Sequence, residues 1–103
     1  MAREQITIAE DSFTIALPTQ TETVRLDTVT AVVLYKRDLL TIDLICCDIF
    51  TEDLVHTVHE ELTGFDNLIS RLEKLPGFDR EWRERVFFPA FAENRTTVFQ
   101  RAN

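Results

Sequence analysis

Residues 29 to 61, VTAVVLYKRDLLTIDLICCDIFTEDLVHTVHEE, decide how this chain folds. Charge breaks the run twice, at Lys36-Arg37-Asp38 and at Thr51-Glu52-Asp53, and between the breaks β-branched, aromatic and other apolar residues dominate. That pattern predicts three antiparallel strands joined by two polar turns. With Arg37 and Asp38 as the first tip, Tyr35 faces Leu40, Val33 faces Ile42, Ala31 faces Leu44 and Val29 faces Cys46. With Glu52 and Asp53 as the second, Phe50 faces Val55 and Cys46 faces His59. Because side chains alternate between faces, both registers put Ala31, Val33, Leu44 and Cys46 on one side, the expected core face. Val32, Leu34, Ile45, Cys47, Ile49 and Val58 fall on the other side, which is too apolar to be left to water. The C-terminal segment, a second copy or a ligand is expected to cover it.

Upstream, Ile6 and Ile8 alternate within Gln5 to Glu10, and Phe13, Ile15 and Leu17 alternate within the next stretch, so two half-buried strands turn at Asp11-Ser12. Pro18 closes the second, since it has no amide hydrogen to give a ladder, and a short strand follows with Val24 and Leu26 inward. Downstream the period changes. Phe65, Leu68, Ile69, Leu72 and Leu75 form one stripe of an amphipathic helix that Pro76-Gly77 ends. Asp79 suits the start of a second helix carrying Trp82 and Val86, with Pro89 as its stop. The expected fold is α+β, a single domain over 1–103: a strongly bent antiparallel sheet of about six strands followed by one or two C-terminal helices.

Four of the eight phenylalanines, Phe87, Phe88, Phe91 and Phe99, lie in the last stretch. Together with Trp82 they mark either a tail folded back on its own sheet or a self-association surface that makes a homodimer.

The composition is that of a soluble globular protein, with 45% hydrophobic and 28% charged residues and no apolar run of membrane-spanning length. The start of the chain shows no apolar signal core, so a cytoplasmic location is expected. A net charge of −7 argues against nucleic acid, whose phosphates require a basic surface. The charge is uneven: residues 1 to 70 hold 13 acids against 4 bases, and residues 71 to 103 hold 5 against 7. Asp43, Asp48, Glu52, Asp53, Glu60 and Glu61 surround the central hairpins. They serve solubility, or they attract a basic protein partner.

Little catalytic chemistry is available. Ser12 and Ser70 are the only serines and neither is flanked by glycine as a nucleophile elbow requires. Two glycines, Gly64 and Gly77, cannot build a phosphate loop. On a strand His56 and His59 point to opposite faces, so no metal is expected, and nothing calls for a cofactor. Adjacent Cys46 and Cys47 also point apart, which suits two buried thiols better than a disulfide. The pairing of Cys46 with His59 leaves one enzymatic alternative, a thiol activated by an imidazole, for which the thiol must be open and its pKa low.

The run Tyr35-Lys36-Arg37-Asp38, Thr41-Ile42-Asp43-Leu44-Ile45, Glu60-Glu61 with Gly64-Phe65, Pro76-Gly77-Phe78, Trp82 and Pro89-Ala90-Phe91-Ala92 with Asn94 resembles a family of small uncharacterised bacterial proteins. The order of strands then helix is also similar to bacterial pleckstrin-homology-like domains, in which a bent sheet is closed at one end by a helix. The resemblance implies a fold and no catalytic residues. The expected function is a non-catalytic binding or regulatory module that self-associates, or an acidic inhibitor or immunity-type protein, with the thiol enzyme as the alternative from another class.

Overall fold

The computed structural model describes residues 4–38, 43–87 and 93–101. Seven strands and two helices follow one another as β1 (Gln5–Ile8), β2 (Ser12–Ala16), β3 (Thr21–Arg25), β4 (Ala31–Asp38), β5 (Asp43–Phe50), β6 (Val55–His59), α1 (Phe65–Leu72), α2 (Trp82–Phe87) and β7 (Thr96–Gln100). The class is α+β and every strand pairing within the sheets is antiparallel, as the alternation predicts. The strands divide into two sheets, β1-β2-β3 and β6-β5-β4-β7, where the sequence suggests one bent sheet. The seventh strand is the tail: Thr96–Gln100 pairs with β4, with a bulge between Val32 and Val33.

The second hairpin has the expected register, with Cys46 opposite His59 and Phe50 opposite Val55. The first does not. Strand β4 continues through Arg37 and Asp38, and Tyr35 pairs with Cys46, six residues beyond its expected partner Leu40. Ala31 pairs with Phe50 rather than Leu44. Lys36 explains the difference. It is buried, its ammonium donates to the Phe87 carbonyl at 2.7 Å and lies 3.3 Å from Asp43, so a charge that reads as a turn is a tie between β4, β5 and α2. The slip is an even number, so each residue keeps its face. The expected partners Leu40 and Ile42, the stop at Pro89 and the aromatic residues Phe88 and Phe91 lie outside the described residues.

The main core is on the face opposite to the one expected. Val32 and Leu34 of β4, Ile45, Cys47 and Ile49 of β5 and Val58 of β6 join Ile6, Phe13, Ile15 and Val24 of the three-stranded sheet in one apolar cluster. Phe65, Leu68, Ile69 and Leu72 dock there as the α1 stripe, Leu75 adds to it from the turn after the helix, and Trp82 and Val86 do so from α2. Val33, Tyr35, Leu44 and Cys46 form a smaller, separate cluster on the outer face, with Phe50 half-buried against it. Strand β5 is apolar on both sides, so alternation fixes which residues share a face; which face becomes the core depends on what packs there.

Helix α1 ends at Leu72, four residues before the Pro76-Gly77 stop that its sequence suggests, and α2 begins at Trp82, three residues after Asp79. Gly64 takes φ +93° before Phe65, and Gly77 takes φ +87° after the α1 stripe. In the turn that leads into α2, the Asp79 carboxylate accepts a hydrogen bond from the Glu81 amide at 3.0 Å, the local side-chain to backbone bond that an aspartate supplies in turns. The Asp79 amide donates to the Val98 carbonyl at 2.7 Å, which ties β7 to the turn before α2. Val98 and Phe99 are both buried, so the tail closes the chain's own core.

Candidate functional site

Two antiparallel hydrogen bonds locate an open backbone edge. The Thr51 amide donates to Leu54 and the Glu60 amide to Ile45, which fixes the bonded pairs of the β5–β6 ladder at alternate positions. His56 and Val58 therefore turn their backbone groups to β5, while Val55 and Thr57 turn theirs away. Among the described residues β6 is the terminal strand of its sheet, so these groups form its free edge. Leu54 and Val55, at 62% and 51% exposure, are among the most exposed large apolar side chains in the chain.

Glu52 and Asp53 stand at one end of β6 and Glu60 and Glu61 at the other, all exposed. Asp43 and Asp48 are placed differently. Asp43 is half-buried beside Lys36. Asp48 is buried on the outer face, where its carboxylate accepts from the Tyr35 hydroxyl at 3.1 Å, the Thr57 hydroxyl at 2.8 Å and the Arg95 guanidinium at 2.9 Å. Arg95 also lies over the Tyr35 ring at 4.7 Å. The hydrogen bond to Asp48 holds the Arg95 pKa above its usual value, and burial, with Asp48 beside it, pushes the Tyr35 hydroxyl up. Three donors on one carboxylate make this a structural lock across β4, β5, β6 and the start of β7. Glu60 has both roles: one carboxylate oxygen accepts the Ile45 amide at 2.8 Å while the residue stays exposed.

A cleft of about 400 Å³ lies between β3 and the β5–β6 turn, lined by Thr23, Val24, Arg25 and Thr28 on one side and by Glu52, Asp53, Leu54 and His56 on the other. His56 Nδ1 meets the Glu22 carboxylate at 2.8 Å, joining β6 to β3. His56 points inward and His59 outward, and among the described residues no group of three His, Cys, Asp or Glu side chains is placed to hold a metal.

The thiol reading meets unfavourable geometry. Cys46 does lie opposite His59, yet it is 1% exposed and its thiol donates to the Leu44 carbonyl at 3.7 Å. His59 Nδ1 accepts from the Glu61 amide at 3.3 Å. Burial pushes the Cys46 thiol up, the reverse of what a nucleophile needs, and raises Cys47 further. Each thiol therefore binds its proton more tightly folded than unfolded. Their contribution to stability is complete below the unfolded thiol pKa of about 8.5 and is lost as pH rises from there toward the folded values. Thermal midpoints should fall above that pH, and Cys47→Ala should flatten the fall. An unchanged alkaline slope in this variant would show that Cys47 is not the titrating group.

Of the aromatic residues expected to self-associate, Trp82 and Phe99 lie in the chain's own core. The Trp82 indole donates to Glu73 at 3.0 Å. Phe87 packs edge-on against Trp82, with ring centroids 5.9 Å apart, and stays 40% exposed. No motif in the sequence marks Leu54, Val55 and Thr57. The available signal was two adjacent apolar residues, Leu54-Val55, directly after a charged turn, where alternation lets only one point inward.

The chain matches no protein-family model, no curated protein and no solved structure. Among the described residues no helix is long and apolar enough to cross a membrane.

Proposed function

We propose that this protein is a non-catalytic binding module whose partner is a basic protein, met at the edge of β6. The observation that carries this reading is the placement of Glu52, Asp53, Glu60 and Glu61 in water at both ends of an edge strand that also exposes Leu54 and Val55. Apolar contact surface bounded by charge of one sign attracts and orients a surface of the other sign. An inhibitor or immunity-type protein is the special case in which the basic partner is an enzyme. Two free, buried thiols fit a reducing compartment such as the cytoplasm. The likeness to bacterial pleckstrin-homology-like domains belongs to the same reading and is supported by two antiparallel sheets around one core. The order departs from a sheet closed by a final helix, because β7 follows α2.

Affinity capture from the native host tests the proposal, comparing the unaltered protein with a variant carrying Glu52→Gln, Asp53→Asn, Glu60→Gln and Glu61→Gln. Proteins retained by the first and lost by the second should be basic, and their association should slow as salt rises, since screening acts over about 8 Å at physiological ionic strength. Loss of acidic proteins instead, or an identical set captured by both, would reject it.

A further inference from the structure

We infer that the partner is held by strand addition: an extended segment of it pairs with the free edge of β6 and becomes a fifth strand beyond β6 in the β6-β5-β4-β7 sheet. This rests on the proposed reading of a basic partner and adds the mode of binding. Edge pairing takes its affinity from backbone hydrogen bonds and its specificity from the side chains at alternate positions.

Among the described residues four strands end a sheet, and they are not equivalent. On β1 the Ile6 amide is bonded to the Thr63 carbonyl at 2.7 Å. On β7 the Val98 carbonyl accepts the Asp79 amide. On β3 the ladder with β2 leaves Thr21, Thr23 and Arg25 facing outward, all polar, with Arg25 held by Asp27 at 2.9 Å. Strand β6 alone combines outward backbone groups, at Val55 and Thr57, with exposed apolar side chains at its start. The cleft at the β5–β6 turn leaves room beside the start of the strand, while His56 and Glu22 tie β6 to β3 one residue further on.

Charge selects the occupant. If two copies paired antiparallel through β6 about Thr57, the Glu52-Asp53 turn before the strand in each would approach the Glu60-Glu61 turn after it in the other, so like charges would gather at both ends. Charged ends of this kind prevent edge-to-edge pairing of a protein with itself. They favour an extended segment with alternating β-branched or apolar residues along the five positions of β6 and with Lys or Arg beyond each end, where the Glu52-Asp53 and Glu60-Glu61 turns lie.

The probe is a displayed library of random twelve-residue peptides selected on the intact protein. Selected peptides should carry basic residues near both ends and should slow amide hydrogen exchange at Val55 and Thr57, whose amides exchange faster than those of His56 and Val58 in the free protein. Val55→Pro removes an outward amide at the first position of a strand, where proline is tolerated, and should weaken the selected peptides about ten-fold or more, while Val55→Thr should not. Exchange in the unaltered protein keeps the test decisive if the proline variant unfolds. Basic peptides that leave Val55 and Thr57 exchange unchanged overturn strand addition and leave the basic-partner reading standing. Peptides that protect this edge without basic residues do the reverse. A library that yields no binder rejects both, and a concentration-dependent dimer abolished by Val55→Pro assigns the edge to a second copy and overturns the inference.

Discussion

Leu34→Asp should leave the chain without a cooperative unfolding transition at room temperature, whereas Ala31→Asp, three residues earlier on the same strand, should retain one. Leu34 is fully buried among residues of both sheets and both helices, and its pairing partner on β5 is Cys47. A carboxylate placed there is surrounded by apolar side chains, and buried Lys36, two residues on along the same face, is already held by the Phe87 carbonyl and Asp43; burying the charge costs several kcal/mol, a large part of the roughly 5–15 kcal/mol that holds a domain together. Ala31 lies half-buried on the opposite face, where a new carboxylate can reach water, so about 1 kcal/mol or less is expected. Denaturant midpoints followed by circular dichroism compare the two. Equal losses would mean that the faces of β4 are not divided as described.

Gly64→Ala should cost about 3 kcal/mol or more, because two effects coincide there. The residue takes φ +93°, a region L side chains avoid, and a Cβ would fall against the backbone carbonyl of Ile6, well inside contact distance. That carbonyl cannot easily withdraw, since the Ile6 amide is bonded to Thr63 next door. Gly77 gives the comparison: φ is +87°, but a Cβ there meets nothing within 4 Å. Gly77→Ala should therefore cost only the backbone strain, about 1 kcal/mol or somewhat more. For a domain of this size each kcal/mol lowers the thermal midpoint by about 4–8 °C, so melting curves separate the two variants. Equal shifts would remove the close approach of Ile6 from the explanation.

These two substitutions also show what the sequence made legible. The buried stripe from Phe65 to Leu75 could be read, because five apolar residues at helical spacing leave one orientation that buries them, although the helix itself ends at Leu72 and Leu75 is buried from the turn beyond. The Glu52-Asp53 turn could be read as well, since nothing buries those carboxylates and the register on both sides follows from the tip. Lys36 could not. A lysine between apolar runs reads as a turn until the Phe87 carbonyl and Asp43, distant in sequence, are known to surround it. Strand β7 is equally silent, since TTVFQ is five residues among polar neighbours and becomes a strand on the edge of β4. Of the candidate acids, Asp48 looked like surface charge for the same reason. Its three donors, Tyr35, Thr57 and Arg95, come from separate parts of the chain.

The position of β7 also orders events during synthesis. Strand β4 is among the first 40 residues, yet the strand that covers its second edge comes almost 60 residues after β4 ends. A growing chain can form the β1-β2-β3 sheet and the β4-β5-β6 meander by local pairing, and both arise early because their loops are short. Until residues 96–100 arrive, the meander presents bare edges on both sides, β4 as well as β6, and the inner face lacks Val98 and Phe99. The nascent chain is therefore most open to pairing with other nascent chains just before β7 is made. Final closure is a long-range step, and its rate sets how long that interval lasts.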